Sequence, residues 1–271
     1  MYALIPALLR ELEAEARLHR TLSRLAPEIT LVLVTQGDYL TRPLPARFRG
    51  LIHRHSDVPL GKWPAVRLGL NSIPRDSDSP LLLIDGDDPV AADSIRAMVS
   101  AADSGVDFAI GDRDRIQLHA AGTTEPEART FLEVFTNTLL LLTLGGAIRK
   151  IGPDIQSGLY VLSERARRLL SLEYVRDYGG ELSLFFELSR AGFEYSTVPV
   201  TTNPATPSSY SVQKIIQSIA RLPFTSGVSS DQMDRALELA PTLYARYLPV
   251  EHRSRFTSAV SALLPAFSRR T

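Results

Sequence analysis

Three aspartates stand directly after a short apolar run, and their spacing is typical of a divalent metal site. Asp85, Asp87 and Asp88 follow residues 81–84, which read Leu-Leu-Leu-Ile. Carboxylates this close repel one another, and a divalent cation removes that repulsion. Mg²⁺ and Mn²⁺ prefer oxygen ligands and commonly combine one or two carboxylates with substrate phosphates. The alternative is a solvated acidic turn that caps the next helix, because D-x-D is common by chance. The position after a buried strand favours the metal site.

A second segment has features of an anion site. Gly61 and Lys62 precede Trp63-Pro64-Ala65, where we expect a helix to begin. Glycine permits close approach of the backbone, and the first N–H groups of a helix are free to bind an anion. Lys62 adds a point charge suited to phosphate. The alternative is an ordinary helix start with an exposed lysine.

Two further polar turns contain candidate residues. Asp154, Gln156 and Ser157 lie between a predicted helix and a predicted strand. They either line a pocket or hydrogen-bond to the local backbone as turn residues. Glu181 follows Tyr178-Gly179-Gly180 at a predicted helix start, where the helix dipole favours a carboxylate without any functional need.

The elements that must position these residues alternate between strand and helix in the first half of the chain. Short aliphatic runs predict strands at 2–6, 29–34, 51–53, 81–84 and 108–110, and helical periodicity predicts helices at 8–25, 63–70 and 92–104. This alternation indicates βαβ units and a mostly parallel sheet. Ligands of open α/β sheets bind beyond the carboxyl ends of the strands. The three aspartates follow such an end.

The second half is richer in helix. We predict helices at 126–144, 164–172 and 181–191, strands at 158–162 and 195–200, and a loop at 201–210. From residue 212 onward we predict helices separated by prolines, namely Pro223, Pro241, Pro249 and Pro265. The chain is therefore expected to consist of an α/β domain, residues 1–210, and a C-terminal helical extension, residues 211–271.

Composition excludes several classes of site and partner. The 271 residues have a formal net charge of zero and no cysteine. Nothing global therefore attracts nucleic acid, and disulfides and thiolate metal sites are excluded. Of the five histidines, only His53 and His55 are close enough to share one face of a strand, so no zinc set is expected. With no spanning segment or basic leader in view, we expect a cytoplasmic protein, with peripheral membrane contact left open.

Six segments in this order resemble the family two glycosyltransferases of the GT-A fold, especially the dolichyl-phosphate mannose synthase-like and polyprenyl-phosphate sugar transferases. The resemblance covers residues 2–200, and no single motif in it is specific, whereas six in register are. The matching segments are 3–7 (Ala-Leu-Ile-Pro-Ala), 58–70, 81–88, 107–113 (Asp-Phe-Ala-Ile-Gly-Asp-Arg), 154–160 (Asp-Ile-Gln-Ser-Gly-Leu-Tyr) and 181–200.

The resemblance implies a GT-A nucleotide-diphospho-sugar transferase fold, with a Rossmann-like, mostly parallel sheet flanked by helices. It also implies transfer of a sugar from a nucleoside-diphosphate sugar with Mg²⁺ or Mn²⁺ at the D-x-D motif. Asp87 would coordinate the metal that bridges the donor diphosphate. Asp85 would contact the sugar or nucleoside and serve as a second metal ligand. The nucleotide would lie near Pro6, Gln36, Gly61 and Lys62.

On the acceptor side the resemblance implies roles for four residues. Arg113 would approach the diphosphate or an acceptor phosphate, and Asp154 and Gln156 would lie near the metal or the transferred sugar. Glu181 would be an acceptor-side carboxylate. A lipid phosphate acceptor is ionised near neutral pH and needs no strong base. A hydroxyl acceptor would need one, and Glu181 or Asp154 would be the first candidates.

Two departures from the family pattern leave other functions open. Leu8-Leu9 stand where the family usually has Asn-Glu, and 35–38 read Thr-Gln-Gly-Asp where it usually has Asp-Asp-Gly-Ser. Gln36 or Asp38 could replace the missing base-binding aspartate, or the donor could have changed. A catalytically degenerate nucleotide-sugar binding protein is one alternative. A sugar-phosphate nucleotidyltransferase is another, although residues 7–10 offer only Arg10 where a glycine-rich basic loop would be expected.

The acceptor and the assembly are also left open. The aliphatic helix at 131–144 and the C-terminal Arg269-Arg270 could rest on a bilayer and present polyprenyl phosphate. The same helix could equally be a buried core element, and the acceptor a soluble small molecule. The apolar helices after residue 126 could also form a homodimer face.

Overall fold

Seven strands of the described residues form one mixed sheet. The computed structural model describes residues 1–37, 40–87, 90–113, 126–145, 153–170, 179–201 and 229–245. In chain order the strands are β1 (Tyr2–Leu8), β2 (Thr30–Gln36), β3 (Gly50–Ser56), β4 (Leu81–Ile84), β5 (Phe108–Arg113), β6 (Leu159–Leu162) and β7 (Tyr195–Val200). Their order across the sheet is β3-β2-β1-β4-β6-β5-β7. β6 is antiparallel to both β4 and β5, and the other neighbouring strands are parallel.

Helices cover both faces of this sheet in the part of the chain that the structure describes. They are α1 (Leu12–Arg24), α2 (Lys62–Leu70), α3 (Ala92–Ala102), α4 (Pro126–Thr143), α5 (Glu164–Leu169), α6 (Gly180–Arg190) and α7 (Ser230–Ala245). α1 and α3 pack on one face, with Leu18, Leu22 and Met98 fully buried. α2, α4, α6 and α7 pack on the other, around Trp63 and Phe135.

The strand order creates a crevice at the carboxyl edge of the sheet. From β1 the chain proceeds to β2 and β3 on one side, and then returns to place β4 on the other side of β1. Loops that leave the carboxyl ends of β1 and β4 therefore diverge, and such a switch point is where open α/β sheets bind ligands. Pro6 and Asp85 lie at these two ends.

The predicted strands and helices up to residue 200 are present, and several of their limits differ, most clearly at two places. β1 continues to Leu8 because that residue is paired with Gln36 of β2, so α1 begins at Leu12 instead of residue 8. β3 spans seven residues where three were predicted, since it pairs with β2 along its whole length.

One prediction for the C-terminal extension is wrong. α7 continues through Pro241, which was predicted to separate two helices. Proline removes one helical hydrogen bond, and packing can compensate for that loss. α7 packs against α4, and its residues Ala236 and Ala240 are fully buried. The described residues do not include 202–210 of the predicted loop at 201–210, nor the extension apart from 229–245. The division into two domains stays a prediction.

None of the described helices is long and apolar enough to cross a membrane.

A buried glutamate attaches the loop after β2 to α1. The carboxylate of Glu15 is fully buried and accepts hydrogen bonds from the backbone N–H groups of Thr41 (2.6 Å) and Arg42 (2.7 Å) and from the Thr41 hydroxyl (2.8 Å). Burial alone would raise the pKa of Glu15, but these hydrogen bonds outweigh it and lower the pKa. The ionised carboxylate therefore stabilises the folded state.

We expect Glu15→Gln to lower the free energy of unfolding by about 1–3 kcal/mol near neutral pH, because buried donors lose a charged acceptor. Since the folded-state pKa lies below that of the unfolded chain, this stabilisation is present above the ordinary glutamate pKa. It is lost as pH falls through the folded-state value. Urea denaturation at several pH values should show the two proteins converging toward acid pH. Glu13→Gln, in an exposed ion pair with Arg20, is the control and should change little.

Candidate functional site

A lysine joins two carboxylates at the crevice between β1 and β4. The Lys62 Nζ lies 2.8 Å and 2.9 Å from the two carboxylate oxygens of Asp85, and 2.5 Å from Glu181 Oε1. Lys62 is the first residue of α2, Asp85 directly follows β4, and Glu181 is in the first turn of α6. We call Lys62, Asp85 and Glu181 the lysine cluster. Three candidates from separate sequence motifs thus meet at one point.

The side chain of Gln36 positions the loop that carries Lys62. Its Oε1 accepts hydrogen bonds from the N–H groups of Leu60 (2.6 Å) and Gly61 (2.9 Å), and the residue is buried. Gly61 has a φ of 93°, a left-handed conformation that glycine adopts easily. The predicted candidates Gln36 and Gly61 are therefore in contact with each other. The side-chain carbonyl oxygen of Gln36 is therefore already hydrogen-bonded to this loop. Asp38 lies outside the described residues.

Two glycines make room for the lysine cluster. Gly158 has a φ of +71°, and a Cβ there would lie 2.4 Å from Oδ2 of Asp85. A Cβ on Gly180 would lie 2.0 Å from the ring of Trp63, the residue after Lys62. Both distances are shorter than a van der Waals contact allows, so any larger residue would displace Asp85 or Trp63.

Burial and charge together shift the protonation of the lysine cluster. Burial raises the pKa of Asp85 to about 6, Lys62 opposes this rise, and the carboxylates of Asp87 and Glu181 add to it. Burial alone would lower the pKa of Lys62, but Asp85 and Glu181 raise it above its ordinary value. The ammonium therefore stays charged throughout the physiological range.

An arginine and its partners form a second ion-pair group. The Arg113 Nε and one terminal nitrogen donate to the two carboxylate oxygens of Asp154 at 2.5 Å and 3.0 Å, a bidentate contact. The same nitrogen donates to the Gln156 carbonyl at 3.0 Å and lies 3.8 Å from the Glu133 carboxylate. We call Arg113, Asp154 and Glu133 the arginine cluster. Asp154 is almost fully buried.

Polar residues on the apolar helix α4 complete this region, and they are not among the candidates predicted from the sequence. The Gln156 Nε2 donates to the Thr136 hydroxyl at 2.9 Å and to Asn137 Oδ1 at 3.2 Å. Glu133 and Asn137 are four residues apart, which places them on the same helix face. Polar residues four positions apart in an otherwise aliphatic helix were the sequence signal that could have identified Glu133 and Asn137.

Tyr160 on β6 lies between the two clusters. It is fully buried, and its hydroxyl donates to the Ile155 carbonyl. Burial raises its pKa, and the carboxylates Glu181 and Asp154 raise it further. The phenol therefore stays protonated, and Tyr160 is a neutral residue between the two charged clusters.

The remaining predicted candidates have different surroundings. Asp87 is exposed beyond β4, while Asp88 lies outside the described residues. Pro6 is buried at the end of β1, and a Cβ on Gly86 would lie 3.1 Å from its carbonyl oxygen. Ser157 accepts a hydrogen bond from the Leu159 N–H at 3.2 Å, as a turn residue that bonds to the local backbone does.

The histidine pair is engaged elsewhere. His53 Nε2 and His55 Nδ1 each lie 2.8 Å from the Thr35 hydroxyl, so the two rings share one face of β3 as predicted.

The carboxylates at the end of β4 fit a hard divalent cation. Among the described residues no group of three or more His, Cys, Asp or Glu is arranged to hold a metal by itself. Mg²⁺ and Mn²⁺ do not need such a cage, because they use one or two carboxylates with substrate phosphates and water. Asp87 is exposed, and Oδ1 of Asp85 is buried without a hydrogen bond from the described residues, so both can supply an oxygen.

We expect Gly158→Ala to disturb Asp85 as well as the backbone. A Cβ at a left-handed φ costs about 1–2 kcal/mol, and here it would also collide with the Asp85 carboxylate. Gly192 is a matched control, because its φ is +78° and a Cβ there meets no atom within 4 Å. Chemical denaturation should show a greater loss for Gly158→Ala than for Gly192→Ala. Equal losses would mean that Asp85 moves aside at no cost.

The fold resembles those of nucleotide-sugar transferases. No protein-family model and no curated protein matches the chain. Glucosyl-3-phosphoglycerate synthase from Mycobacterium tuberculosis, solved with Mg²⁺ and uridine diphosphate, matches with a TM-score of 0.52 and 17% identity, over 84% of this chain and 80% of that one. A mannosyltransferase from Pyrobaculum calidifontis, solved with GDP-mannose and Mn²⁺, matches with a TM-score of 0.52 and 13% identity, over 98% and 75%.

These likenesses establish the fold class. The predicted GT-A-like, Rossmann-like and mostly parallel sheet flanked by helices is confirmed by the topology and by these two structures. At such low identity the likeness extends to the fold alone. The dolichyl-phosphate mannose synthase-like subtype stays a prediction.

Proposed function

We propose that this protein is a metal-dependent glycosyltransferase that uses a nucleoside-diphosphate sugar. One observation carries the proposal: the Asp85–Asp87 pair follows β4 at the switch point of the sheet, beside the Lys62 ammonium and the Glu181 carboxylate. A diphosphate needs cations, and a transferred sugar needs acceptors for its hydroxyl groups. Both kinds of group are present at this point. The structures of similar fold, which hold Mg²⁺ or Mn²⁺ with UDP or GDP-mannose, support the same assignment.

Asp87 and Asp85 would hold the Mg²⁺ or Mn²⁺ of the donor. When bound, such a cation neutralises negative charge that develops on the leaving diphosphate, a contribution of several kcal/mol. Lys62 is within reach of the same charge, and its ammonium acts there as a second, permanent cation. The N–H groups of the first turn of α2 add partial positive charge, and that turn contains no acidic residue. Pro6 and Gln36 would contribute to the nucleotide pocket through backbone position.

Glu181 is the better candidate for the acceptor side. Asp154 is held bidentately by Arg113 and almost fully buried, whereas the Glu181 side chain is 11% exposed and borders the crevice. With a hydroxyl acceptor, Glu181 would accept the proton as the nucleophile attacks. With a lipid phosphate such as polyprenyl phosphate, it would only orient the acceptor, and the protein would work at a membrane surface. Arg113, which donates to the Gln156 carbonyl, would hold the turn beside the transferred sugar.

A thermal-shift screen tests the proposal. We expect one nucleoside diphosphate among UDP, GDP, CDP and ADP, and its sugar conjugates, to raise the melting temperature in the presence of Mn²⁺ or Mg²⁺. A ligand at a hundred times its dissociation constant stabilises the native state by about 2.7 kcal/mol. The matching nucleoside without phosphates is the control. If no nucleotide raises the melting temperature with either metal, the protein does not bind this donor class. A protein of this fold without transferase activity then replaces the proposal.

A further inference from the structure

The lysine cluster already contains one cation, the Lys62 ammonium. A metal-dependent site at this position must accommodate a divalent cation as well. Lys62 contacts both oxygens of Asp85 and one of Glu181 at 2.5–2.9 Å. The carboxylate that would bind the metal is therefore already paired in the free protein. A divalent cation placed on Asp85 would bring two positive charges next to the ammonium, and such a like-charge contact costs free energy in a partly buried site.

The geometry leaves Asp85 able to change partners. Its Oδ1 lies 2.8 Å from Nζ without hydrogen-bond geometry and receives no other hydrogen bond from the described residues. Gly158 leaves the space next to Oδ2 without a Cβ. The Lys62 side chain has a flexible stem of four carbons and is 28% exposed. The ammonium can thus turn from the carboxylates to a phosphate without any movement of α2.

We propose that Lys62 is a placeholder cation, which holds Asp85 and Glu181 together in the free protein and is released to the donor diphosphate when the metal arrives. This inference rests on the proposed function and predicts how the binding of the metal depends on the binding of the nucleoside diphosphate. Metal alone binds weakly because Lys62 competes for Asp85. Metal and nucleoside diphosphate bind cooperatively, because the diphosphate supplies the ammonium with a new partner. By linkage, each ligand raises the affinity for the other by the same factor.

The test is the affinity for Mn²⁺, measured by titration calorimetry or electron paramagnetic resonance, with and without UDP and GDP in turn. In the unmodified protein we expect one nucleotide to raise Mn²⁺ affinity by about tenfold or more. In Lys62→Met we expect Mn²⁺ alone to bind about tenfold more tightly than in the unmodified protein, and the effect of the nucleotide to shrink correspondingly. Lys62→Arg keeps the charge and should keep the weak binding of metal alone.

Three further variants keep the result interpretable. Lys62→Met leaves two carboxylates without their partner and could lose its fold, so its melting curve is measured first. If it unfolds, Lys62→Met/Glu181→Gln is compared with Glu181→Gln, a pair that again differs only at Lys62, and the double variant should bind Mn²⁺ more tightly. Arg96→Met removes an equal charge from an exposed ion pair with Asp93 on α3 and should leave Mn²⁺ affinity unchanged.

Failure of this inference differs from failure of the proposed function. Unchanged Mn²⁺ affinity on removal of Lys62, in a protein that still binds metal and nucleotide together, overturns the placeholder role and leaves the transferase proposal standing. Tighter Mn²⁺ binding in Lys62→Met, in a protein that binds no nucleotide, supports the competition between lysine and metal and contradicts the transferase proposal.

Discussion

Asp87→Asn is expected to abolish metal-dependent sugar transfer while leaving the fold intact. Asp87 is exposed beyond β4, so its replacement disturbs no buried contact. An amide is a weak ligand for Mg²⁺ and Mn²⁺ compared with a carboxylate. Losing the stabilisation of the leaving diphosphate should lower kcat/KM by about a thousandfold or more. The measurement is transfer from the nucleotide sugar identified by ligand screening, together with the Mn²⁺ dependence of nucleotide binding.

The control for this variant is another exposed aspartate close in sequence. Asp93→Asn removes an equal charge from the first turn of α3, where the side chain is 85% exposed and paired with Arg96. It should retain full activity and an unchanged melting temperature. An Asp87→Asn protein with normal, Mn²⁺-dependent transfer would show that the cation is bound elsewhere. Asp85, two residues earlier and already paired with Lys62, would then be the first residue to test.

The sequence predicted the parts of the site better than their partners. Lys62, Asp85 and Glu181 were each identified from a local signal: a helix start, a strand end and a polar turn. The contact between Lys62 and Glu181 joins residues 119 positions apart. Local periodicity contains no information on which helix start will face which strand end. The sheet order, which brings α2 and α6 to the same crevice, decides that contact.

The same limit explains a contact between two candidate residues that the sequence did not predict. The family resemblance implied that Arg113 approaches the diphosphate or an acceptor phosphate, and that Asp154 lies near the metal or the transferred sugar. In the structure they bind each other across 41 residues. β6 is antiparallel and inserted between β4 and β5, and this insertion brings the turn before it next to the end of β5. The sequence of residues 159–162 predicts a strand but contains no indication of its direction or neighbours.

The side-chain amide of Gln36 fits two roles, contact with the nucleotide base and support of a neighbouring loop. A glutamine after β2 was proposed as a partner for the nucleotide base, since an amide can form two complementary hydrogen bonds. The structure uses its carbonyl oxygen to hold the N–H groups of Leu60 and Gly61. These bonds fix the start of α2, and with it Lys62. The residue therefore acts on the site at least through the position of the lysine.

Asp154 of the arginine cluster has two interpretations, a catalytic base and a buried ion-pair partner. They predict different effects of substitution on turnover and on folding. As a catalytic base, Asp154 would be needed for turnover and dispensable for folding. As a buried ion-pair partner, it would be needed for folding. Breaking one partner of a buried pair typically costs about 3–5 kcal/mol, because the other charge is left uncompensated. Asp154 is 1% exposed and Arg113 has a side chain that is 13% exposed, so this value applies near its full size.

We therefore expect Arg113→Met and Asp154→Asn each to lower the free energy of unfolding by about 3–5 kcal/mol, since each removes one charge of a buried bidentate pair. The double variant Arg113→Met/Asp154→Asn should lose less than the sum of the two, because it removes both charges of the Arg113–Asp154 pair together. Urea denaturation of the four proteins provides the cycle. Arg168→Met, which removes an exposed arginine paired with Asp78, is the surface control.

Turnover measured on the folded fraction separates the two interpretations of Asp154. If the arginine cluster supports the fold, the double variant should keep most of its transfer rate at a temperature where it remains folded, because Glu181 and the lysine cluster are untouched. Loss of turnover by more than about a hundredfold in Asp154→Asn, with an unchanged free energy of unfolding, would assign Asp154 the role of a general base. The bidentate contact with Arg113 argues for the first result, since a carboxylate held on both oxygens has little capacity left to accept a proton.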